Sequence, residues 1–115
     1  MKTIIAGSRE INDLSLITKA VSECGWIVSE VVSGNARGVD RLGETWALYN
    51  AVPIQLFPAE WDVYGKSAGP IRNRKMAEYA DTLIAIWDGK SKGTKNMIDT
   101  ATKLGLTVYV HTQTI

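Results

Sequence analysis

Three short glycine-bearing segments of this 115-residue chain carry residue types that bind phosphate, and each directly follows a run of apolar residues. They cover residues 7–9, 34–40 and 88–94. Glycine lets a backbone approach a ligand closely, and the amino terminus of a following helix presents unpaired N–H groups to an anion. One glycine-rich turn is a weak signal, so residues 34–40 alone fit a phosphate cradle and an ordinary strand-to-helix turn equally well.

Charged side chains in and near the central segment extend this chemistry. Arg37 supplies a fixed positive charge and a planar set of donors. Asp40 can orient Arg37 or accept a hydrogen bond from a sugar hydroxyl, and we favour this role over a favourable charge at a helix start. Glu44 lies four residues on and shares the helix face of Asp40; we expect it to be a solvated surface residue.

A second group of polar side chains is predicted at the beginning of a later helix. Arg72, Asn73, Arg74 and Lys75 occupy its first turns, directly after Pro70, which fits a helix start. Cations near a helix amino terminus oppose the helix dipole, and a bound anion would explain their position. Ordinary surface charge is the alternative.

Alternating apolar runs and helix-spaced segments predict how these turns are held. Strands are predicted at residues 3–6, 26–33, 53–57, 82–87 and 106–111, and helices at 12–25, 39–50, 71–80 and 95–104. This order predicts a single domain over residues 1–115, an α/β/α three-layer Rossmann-like sandwich with a five-stranded, mainly parallel sheet. Ligands bind such sheets beyond the carboxyl ends of the strands. All three turns fall at that edge, which favours a phosphate cradle.

Residues 58–70 form an unusually long connection for a small α/β domain, where such loops commonly span two to six residues. Long ordered loops tend to be functional. Trp61 and Tyr64 in this segment can stack on a base, although aromatic residues that anchor a loop onto its domain are commoner.

Composition narrows the classes of partner. The chain has 13 basic and 12 acidic residues, a net charge of +1, which gives no electrostatic reason for extensive nucleic-acid or membrane binding. No signal peptide or membrane-spanning run is recognisable, so we expect a cytoplasmic protein. Exposed aromatic residues such as Trp46 or Trp61 are candidates for a homo-oligomer interface.

Redox and metal chemistry have little support in the sequence. Cys24 is the single cysteine and His111 the single histidine, which excludes an internal disulfide, a CxxC metal motif and a histidine-rich zinc site. We expect Cys24 to be a small buried apolar residue and His111 to be structural. No cofactor is predicted; Mg²⁺ on the phosphates of a ligand stays an open alternative, because it needs only one or two carboxylates.

The motifs together resemble the YspA/YpsA-related branch of the SLOG superfamily, which includes the Lonely Guy phosphoribohydrolases and the DNA-processing protein Smf/DprA. The resemblance rests on residues 7–9, 33–40 with Glu44 and Ala47, 57–61, 64–70 with Arg72 and Asn73, 80–81, 88–89 and 93–94. It implies a Rossmann-like fold and a nucleotide or nucleotide-derived ligand whose phosphate lies at the glycine-rich turns. For this branch it implies a ligand sensor or an enzyme acting on nucleotides.

The resemblance to the Lonely Guy enzymes is weaker at the catalytic residues. Arg72 lies where their arginine would be, and Gly93-Thr94 matches part of their PGGxGT turn. Lys95, Asn96 and Met97 follow, so the expected glutamates are missing. A carboxylate would stabilise positive charge on the ribose during N-glycosidic cleavage; Asp40, Glu44 or Asp88 are the candidates to replace it.

Three hypotheses follow from the sequence. The first is a nucleotide-binding or sensing domain, the second a phosphoribohydrolase-like enzyme that uses Arg72 and Asp40, and the third a single-stranded DNA-binding module. In the third, the cations are Arg72, Arg74, Lys75, Lys90, Lys92 and Lys95. The predicted ligand- and phosphate-binding residues are Gly7, Ser8, Arg9, Ser33, Gly34, Asn35, Ala36, Arg37, Gly38, Asp40, Arg72, Asn73, Asp88, Gly89, Ser91, Gly93 and Thr94.

Overall fold

The computed structural model describes residues 1–114 as one α/β unit. Its strands are β1 (Lys2–Gly7), β2 (Glu30–Ser33), β3 (Ile54–Leu56), β4 (Thr82–Trp87) and β5 (Thr107–Thr112). Its helices are α1 (Leu14–Glu23), α2 (Val39–Tyr49), α3 (Trp61–Tyr64), α4 (Ala68–Tyr79) and α5 (Lys92–Lys103), with a 3₁₀ turn at Gly65–Ser67.

The five strands form one sheet in the order β3-β2-β1-β4-β5, and every neighbouring pair is parallel. The predicted Rossmann-like sandwich is confirmed, with a sheet that is parallel throughout. The chain builds outward from β1 to β3 and then returns to the other side of β1 with β4. The order therefore reverses between β1 and β4, where Gly7 lies opposite Ile86, and a crevice forms beyond their carboxyl ends.

Two helices cover each face of the sheet. Helices α1 and α2 pack on one face, through Ile17, Ala20, Val39 and Ala47 against Ile5 and the neighbouring strands. On the other face, Met76 and Ala77 of α4 and Met97 and Ala101 of α5 pack against the sheet. Strands β1 and β4 are buried on both faces, which explains their continuous apolar sequences.

Helix α5 begins at Lys92 and not at Lys95, so Gly93 and Thr94 lie in its first turn and not in the preceding loop. Two further segments differ more from the sequence-based prediction. Residues 26–29 lie outside the sheet. Gly25 turns the backbone before them at φ +93°, and the Trp26 indole donates a hydrogen bond to Thr3 Oγ1. Residues 58–70 are not a plain loop. They contain α3, the 3₁₀ turn and the first turn of α4, which begins at Ala68 and not after Pro70.

The predictions for two single residues outside the site, Cys24 and His111, had different outcomes. Cys24 is half-buried at the end of α1, and so less buried than predicted. His111 lies in β5, where its Nε2 is 3.0 Å from Gln113 Oε1, an interaction that fits the predicted structural role. Among residues 1–114, none of the helices combines the length and the apolar character that crossing a bilayer requires.

Candidate functional site

A cavity of about 350 Å³ opens at the carboxyl edge of β1 and β4, where the strand order reverses. We call it the turn cavity, because the three predicted glycine-bearing turns form its walls. Of the predicted site residues, those that line it are Gly7, Arg9, Ala36, Asp40, Arg72, Asn73, Asp88, Ser91, Gly93 and Thr94. The structure thus brings together residues from four separate parts of the sequence.

Asp40 forms the buried carboxyl of this cavity, with 5% of its surface exposed. It lies in the first turn of α2, and its Oδ2 accepts a hydrogen bond from the backbone N–H of Ala36 at 3.2 Å. Burial raises the pKa of Asp40 to about 6, although the Ala36 N–H and the charge of Arg72 act in the opposite direction. A carboxyl in this state can change protonation near neutral pH.

Arg72 is the cation that faces Asp40, and two hydrogen bonds fix its guanidinium. Its Nη1 donates to the Gly34 carbonyl oxygen at 2.8 Å, and its Nε donates to Asn73 Oδ1 at 2.9 Å. Burial lowers the pKa of Arg72, and the neighbouring Asp40 raises it. A preorganised, partly desolvated guanidinium is well suited to bind a phosphate or carboxylate group.

Gly34 and Gly38 are needed here for different reasons. A Cβ at Gly34 would lie 2.3 Å from Arg72 Nη1 and 2.8 Å from Asp40 Oδ2, so this glycine leaves room for the charged pair. Gly38 has φ +79°, and a Cβ there would lie 2.5 Å from the Ser8 carbonyl oxygen. It therefore provides both the left-handed backbone and the close approach to the first turn.

Asn73 connects the two helices that contribute to the cavity. This residue is buried, and its Nδ2 donates to Asn96 Oδ1 at 2.9 Å and to the Gly93 carbonyl oxygen at 3.3 Å. Because its Oδ1 accepts from Arg72, the position of the guanidinium depends on the start of α5. Asn73 was predicted as a ligand contact, and its hydrogen bonds give it a positioning role as well.

The third turn is organised by Asp88 and Ser91. Asp88 Oδ1 accepts from the N–H groups of Lys90 and Ser91, each at 2.8 Å, and these bonds lower the pKa of Asp88. Ser91 caps α5 by accepting from the N–H of Thr94 at 3.3 Å. The remaining first-turn N–H groups of this 12-residue helix are oriented along its axis towards the cavity edge.

Four predicted site residues line neither the turn cavity nor a second cavity that adjoins it. Ser33 is fully buried; it donates to Glu44 Oε2 at 2.6 Å and accepts from the N–H of Asn35 at 3.1 Å. Ser8 is buried and its Oγ accepts from the N–H of Asp88 at 3.0 Å. Gly38 packs on the first turn, and Gly89 provides a left-handed turn at φ +81°. All four residues therefore support the turns that form the site without lining a cavity.

Two predictions for charged residues were wrong, that Asp40 orients Arg37 and that Glu44 is a solvated surface residue. Asp40 lies beside Arg72 and not Arg37, whose guanidinium instead pairs with Glu10 at 3.0 Å on the exposed surface. Glu44 accepts a hydrogen bond from Ser33, so it is more than a solvated surface residue. These pairings depend on which turns meet in space, and the spacing of residues along the chain does not contain that information.

Two of the cations on α4 also have an explanation without a bound anion. Arg74 pairs with Glu78 at 3.6 Å and Lys75 with Glu60 at 3.8 Å, all four side chains being about half-exposed or more. Helix α4 begins at Ala68, so these residues lie beyond its first turn. Of the cationic side chains in this group, only Arg72 lines the turn cavity.

A second cavity of about 370 Å³ adjoins the turn cavity. We call it the Trp61 cavity, because the indole of Trp61 lines it. Arg9, Ala36 and Arg72 line both cavities, so the two share a wall. Gly34, Asn35 and Arg37, which were predicted as site residues, line this second cavity.

Sequence reasoning missed a few residues that line the turn cavity. Glu10 immediately follows the first turn and was overlooked, while Met76 and Met97 were read as helix-face or turn-following residues. The proximity of Glu10 to a recognised glycine turn was the available signal. Within residues 1–114, no group of three or more histidine, cysteine or acidic residues is arranged to hold a metal ion.

A parallel sheet in the order 3-2-1-4-5 with polar glycine turns at its switch point defines a Rossmann-like α/β protein. Comparison with known proteins specifies the family. The model of the YspA, cpYpsA-related SLOG family, YAcAr, matches residues 1–64, more than half of the chain. The chain therefore belongs to this family, as the sequence motifs indicated.

Two individual proteins are similar to this chain. The Gene 61 protein of Mycobacterium phage D29 is 32% identical over 120 residues, which cover 93% of each protein. The X-ray structure of DNA processing protein A (DprA) from Streptococcus pneumoniae superposes with a TM-score of 0.78 at 20% identity. That match covers 99% of this chain and 51% of DprA, so the chain corresponds to about half of DprA and shares its fold.

Proposed function

We propose that this chain binds a nucleotide or nucleotide-derived ligand, with phosphate held at the turn cavity, and acts as a binding or sensing domain. The observation that carries the proposal is the buried carboxyl of Asp40 beside the half-buried guanidinium of Arg72, at a cavity built from three glycine-bearing turns. The cytoplasmic location and the homo-oligomer expected from the sequence stay part of the proposal.

The burial of Asp40 and the partial burial of Arg72 are better explained by ligand binding than by a contribution to the stability of the fold. Removing charged groups from water costs more free energy than a single partner commonly returns, and the raised pKa of Asp40 records that cost. A phosphate group beside Arg72 and the first turn of α5 would complete the interactions of both. Carboxylates of Asp88 and Glu10 on the same wall can accept hydrogen bonds from ribose hydroxyls.

The test compares two arginines on the same helix. Arg72→Met removes the guanidinium that lines the cavity, whereas Arg74→Met removes one that pairs with Glu78 on the surface. We expect Arg72→Met to weaken binding of adenosine 5′-monophosphate (AMP) about 10- to 100-fold, the value of a charge-assisted hydrogen bond of roughly 1.5–3 kcal/mol. Arg74→Met should leave the affinity unchanged.

Isothermal titration calorimetry and the ligand-dependent rise in melting temperature measure this affinity. The proposal is wrong if AMP, GMP, CMP, UMP and the dinucleotide NAD⁺ all fail to bind the unaltered protein, or if both arginine variants lose affinity equally.

A second candidate is a phosphoribohydrolase-like enzyme, and the raised pKa of Asp40 is the observation that favours it. A buried carboxyl of this kind beside an arginine resembles a general acid or a stabiliser of positive charge on ribose. The glutamates of the Lonely Guy motif are absent from residues 95–97, so Asp40 would have to replace them. Release of free base from AMP by the unaltered protein, and its loss in Asp40→Asn, would support this candidate.

A third candidate is a single-stranded DNA-binding module, suggested by the similarity in fold to a protein whose name refers to DNA processing. Three of its six proposed cations are engaged in surface ion pairs. Arg74, Lys75 and Lys95 pair with Glu78, Glu60 and Asp99 respectively. A gel-shift assay at low salt, where such binding is strongest, separates this candidate from the first.

A further inference from the structure

We propose that the ligand consists of two nucleotide units joined through phosphate, with one unit in the turn cavity and the second in the Trp61 cavity. This inference rests on the proposed function, since it assigns the second unit relative to a first one held in the turn cavity. The two cavities have volumes of about 350 and 370 Å³, each within the range of small-molecule sites. A mononucleotide would leave one of them empty.

The shared wall is where a linking phosphate belongs. Arg9 and Arg72 line both cavities, so their guanidinium groups can be reached from either side. Arg72 is held by Gly34 and Asn73 through Nη1 and Nε, which leaves the Nη2 side of its planar fork available in the described part of the chain. An anion at the boundary would therefore meet donors from two different elements.

The distribution of charge differs between the two cavities. The turn cavity has three carboxyl groups in its lining, those of Glu10, Asp40 and Asp88. No acidic residue among residues 1–114 lines the Trp61 cavity, where Arg37 joins the two shared arginines. Carboxylates suit ribose hydroxyls and guanidinium groups suit phosphate. This asymmetry places a sugar in the turn cavity and phosphate at its boundary with the Trp61 cavity.

The Trp61 cavity also offers a surface for a base. Trp61 is 50% exposed, and its ring edge lies near the start of α4, 3.5 Å from where a Cβ on Gly69 would be. A half-exposed indole in this position can stack on a base. Arg37 pairs with Glu10 at 3.0 Å on the exposed surface, so a ligand phosphate in the Trp61 cavity would compete with that carboxylate for Arg37.

The experiment measures the affinities of four probes by calorimetry: AMP, the 5′-phosphorylated dinucleotide pApA, NAD⁺ and the ten-nucleotide strand (dA)₁₀. We expect pApA or NAD⁺ to bind at least tenfold more tightly than AMP. The two dinucleotides differ in their linkage, so their ranking tells a phosphodiester from a pyrophosphate ligand.

Substitutions of residues that line the Trp61 cavity then test whether the higher affinity for a dinucleotide comes from that cavity. Trp61→Ala should weaken binding of the better dinucleotide about tenfold or more, by the loss of one stacked base, and change the affinity for AMP less than threefold. Trp61→Phe should restore most of the loss, and Arg37→Gln should reproduce part of it. Tyr49→Ala is the control, because Tyr49 is an exposed aromatic residue at the far end of α2.

Several outcomes would overturn the inference while the proposed function stands. These are equal affinity for AMP and both dinucleotides, an equal loss of AMP and dinucleotide affinity in Trp61→Ala, or an affinity that keeps rising from pApA to (dA)₁₀, which would indicate a nucleic-acid groove. If the unaltered protein binds none of the probes, the proposed function itself fails.

Discussion

At the scale of single residues, the site is defined by the buried carboxyl of Asp40 and the half-buried guanidinium of Arg72, which lie next to each other without a direct ion pair. Arg72 is bound by the Gly34 carbonyl and Asn73, and Asp40 by the N–H of Ala36. Both charged forms pay for desolvation, which raises the pKa of Asp40 and lowers that of Arg72. Such groups commonly reduce stability in return for function.

The pKa of Asp40 gives a prediction with a definite sign. Because the folded protein holds a proton on Asp40 up to about pH 6, the folded state binds more protons than the unfolded state between about pH 4 and pH 6. Its contribution to stability is therefore highest below about pH 4 and is lost as pH rises through 6. Asp40→Asn should raise the free energy of unfolding at pH 7 by about 1–3 kcal/mol, as two pKa units imply at most.

Urea unfolding curves between pH 4 and pH 8 measure this effect, and the gain should vanish near the acidic end. Asp88→Asn is the matched control. The pKa of Asp88 is lowered by backbone N–H groups, so its carboxylate stabilises the fold above its ordinary pKa and the substitution should not raise stability at pH 7. A destabilised Asp40→Asn protein at neutral pH would contradict the interpretation.

Gly34 provides a second prediction at this scale. Gly34→Ala places a Cβ against Arg72 Nη1 and Asp40 Oδ2, and the guanidinium is the group that can move. We expect AMP binding to fall at least tenfold while unfolding free energy falls by about 1–3 kcal/mol. Gly69→Ala is the control, because its Cβ would make an ordinary 3.5 Å contact with Trp61; its affinity for AMP should be unchanged.

At the scale of elements, the strands that are buried on both faces could be predicted from the sequence. The boundaries of elements that depend on tertiary contacts could not be predicted. Strand β4 has the predicted bounds, because six consecutive apolar or β-branched residues leave no alternative. Strand β2 begins only at Glu30, and Trp26, in the segment predicted as its start, contacts Thr3, 23 positions away in the chain. Helix α3 is a single turn, too short for helical periodicity to reveal.

The candidate site likewise has one part that could be predicted from the sequence and one part that could not. The three turns could be predicted because glycine and the ends of apolar runs are local signals, and the parallel order brings them to one edge. The partners of Asp40 and Arg37 could not be predicted, because they depend on which loops meet at the carboxyl edge of the sheet. Whether the lining residues contact a ligand stays a prediction.

The link between α4 and α5 can be tested by a double-mutant cycle on Asn73 and Asn96, whose amide groups form a buried hydrogen bond of 2.9 Å. Asn73→Ala should cost about 1–3 kcal/mol, since it leaves Arg72 Nε and Asn96 Oδ1 without their partner. The coupling energy with Asn96→Ala should be about 0.5–3 kcal/mol. Asn73→Ala should also weaken AMP binding, while Asn96→Ala weakens it less; equal effects would argue against the positioning role of Asn73.

At the scale of the whole molecule, near-neutral charge separates a small-ligand site from a nucleic-acid surface. The chain carries a net charge of +1, and the cations that line the two adjoining cavities are Arg9, Arg37 and Arg72. Three of the six cations of the proposed DNA groove are paired with carboxylates on the surface. On that groove, a long polyanion would therefore meet only Arg72, Lys90 and Lys92 without first opening a surface ion pair.

This charge distribution predicts the salt dependence of binding. A strand that used all six cations would give a slope of about −4 in a plot of log affinity against log salt, since each phosphate contact on a single strand contributes about −0.7. With three of the cations already paired, we expect (dA)₁₀ to give a slope no steeper than about −2, and pApA a shallower one. Fluorescence titrations between 50 and 300 mM NaCl measure both slopes. A slope near −4 for (dA)₁₀ would require the surface pairs to open for DNA, and the nucleic-acid module would then be the better account of this chain.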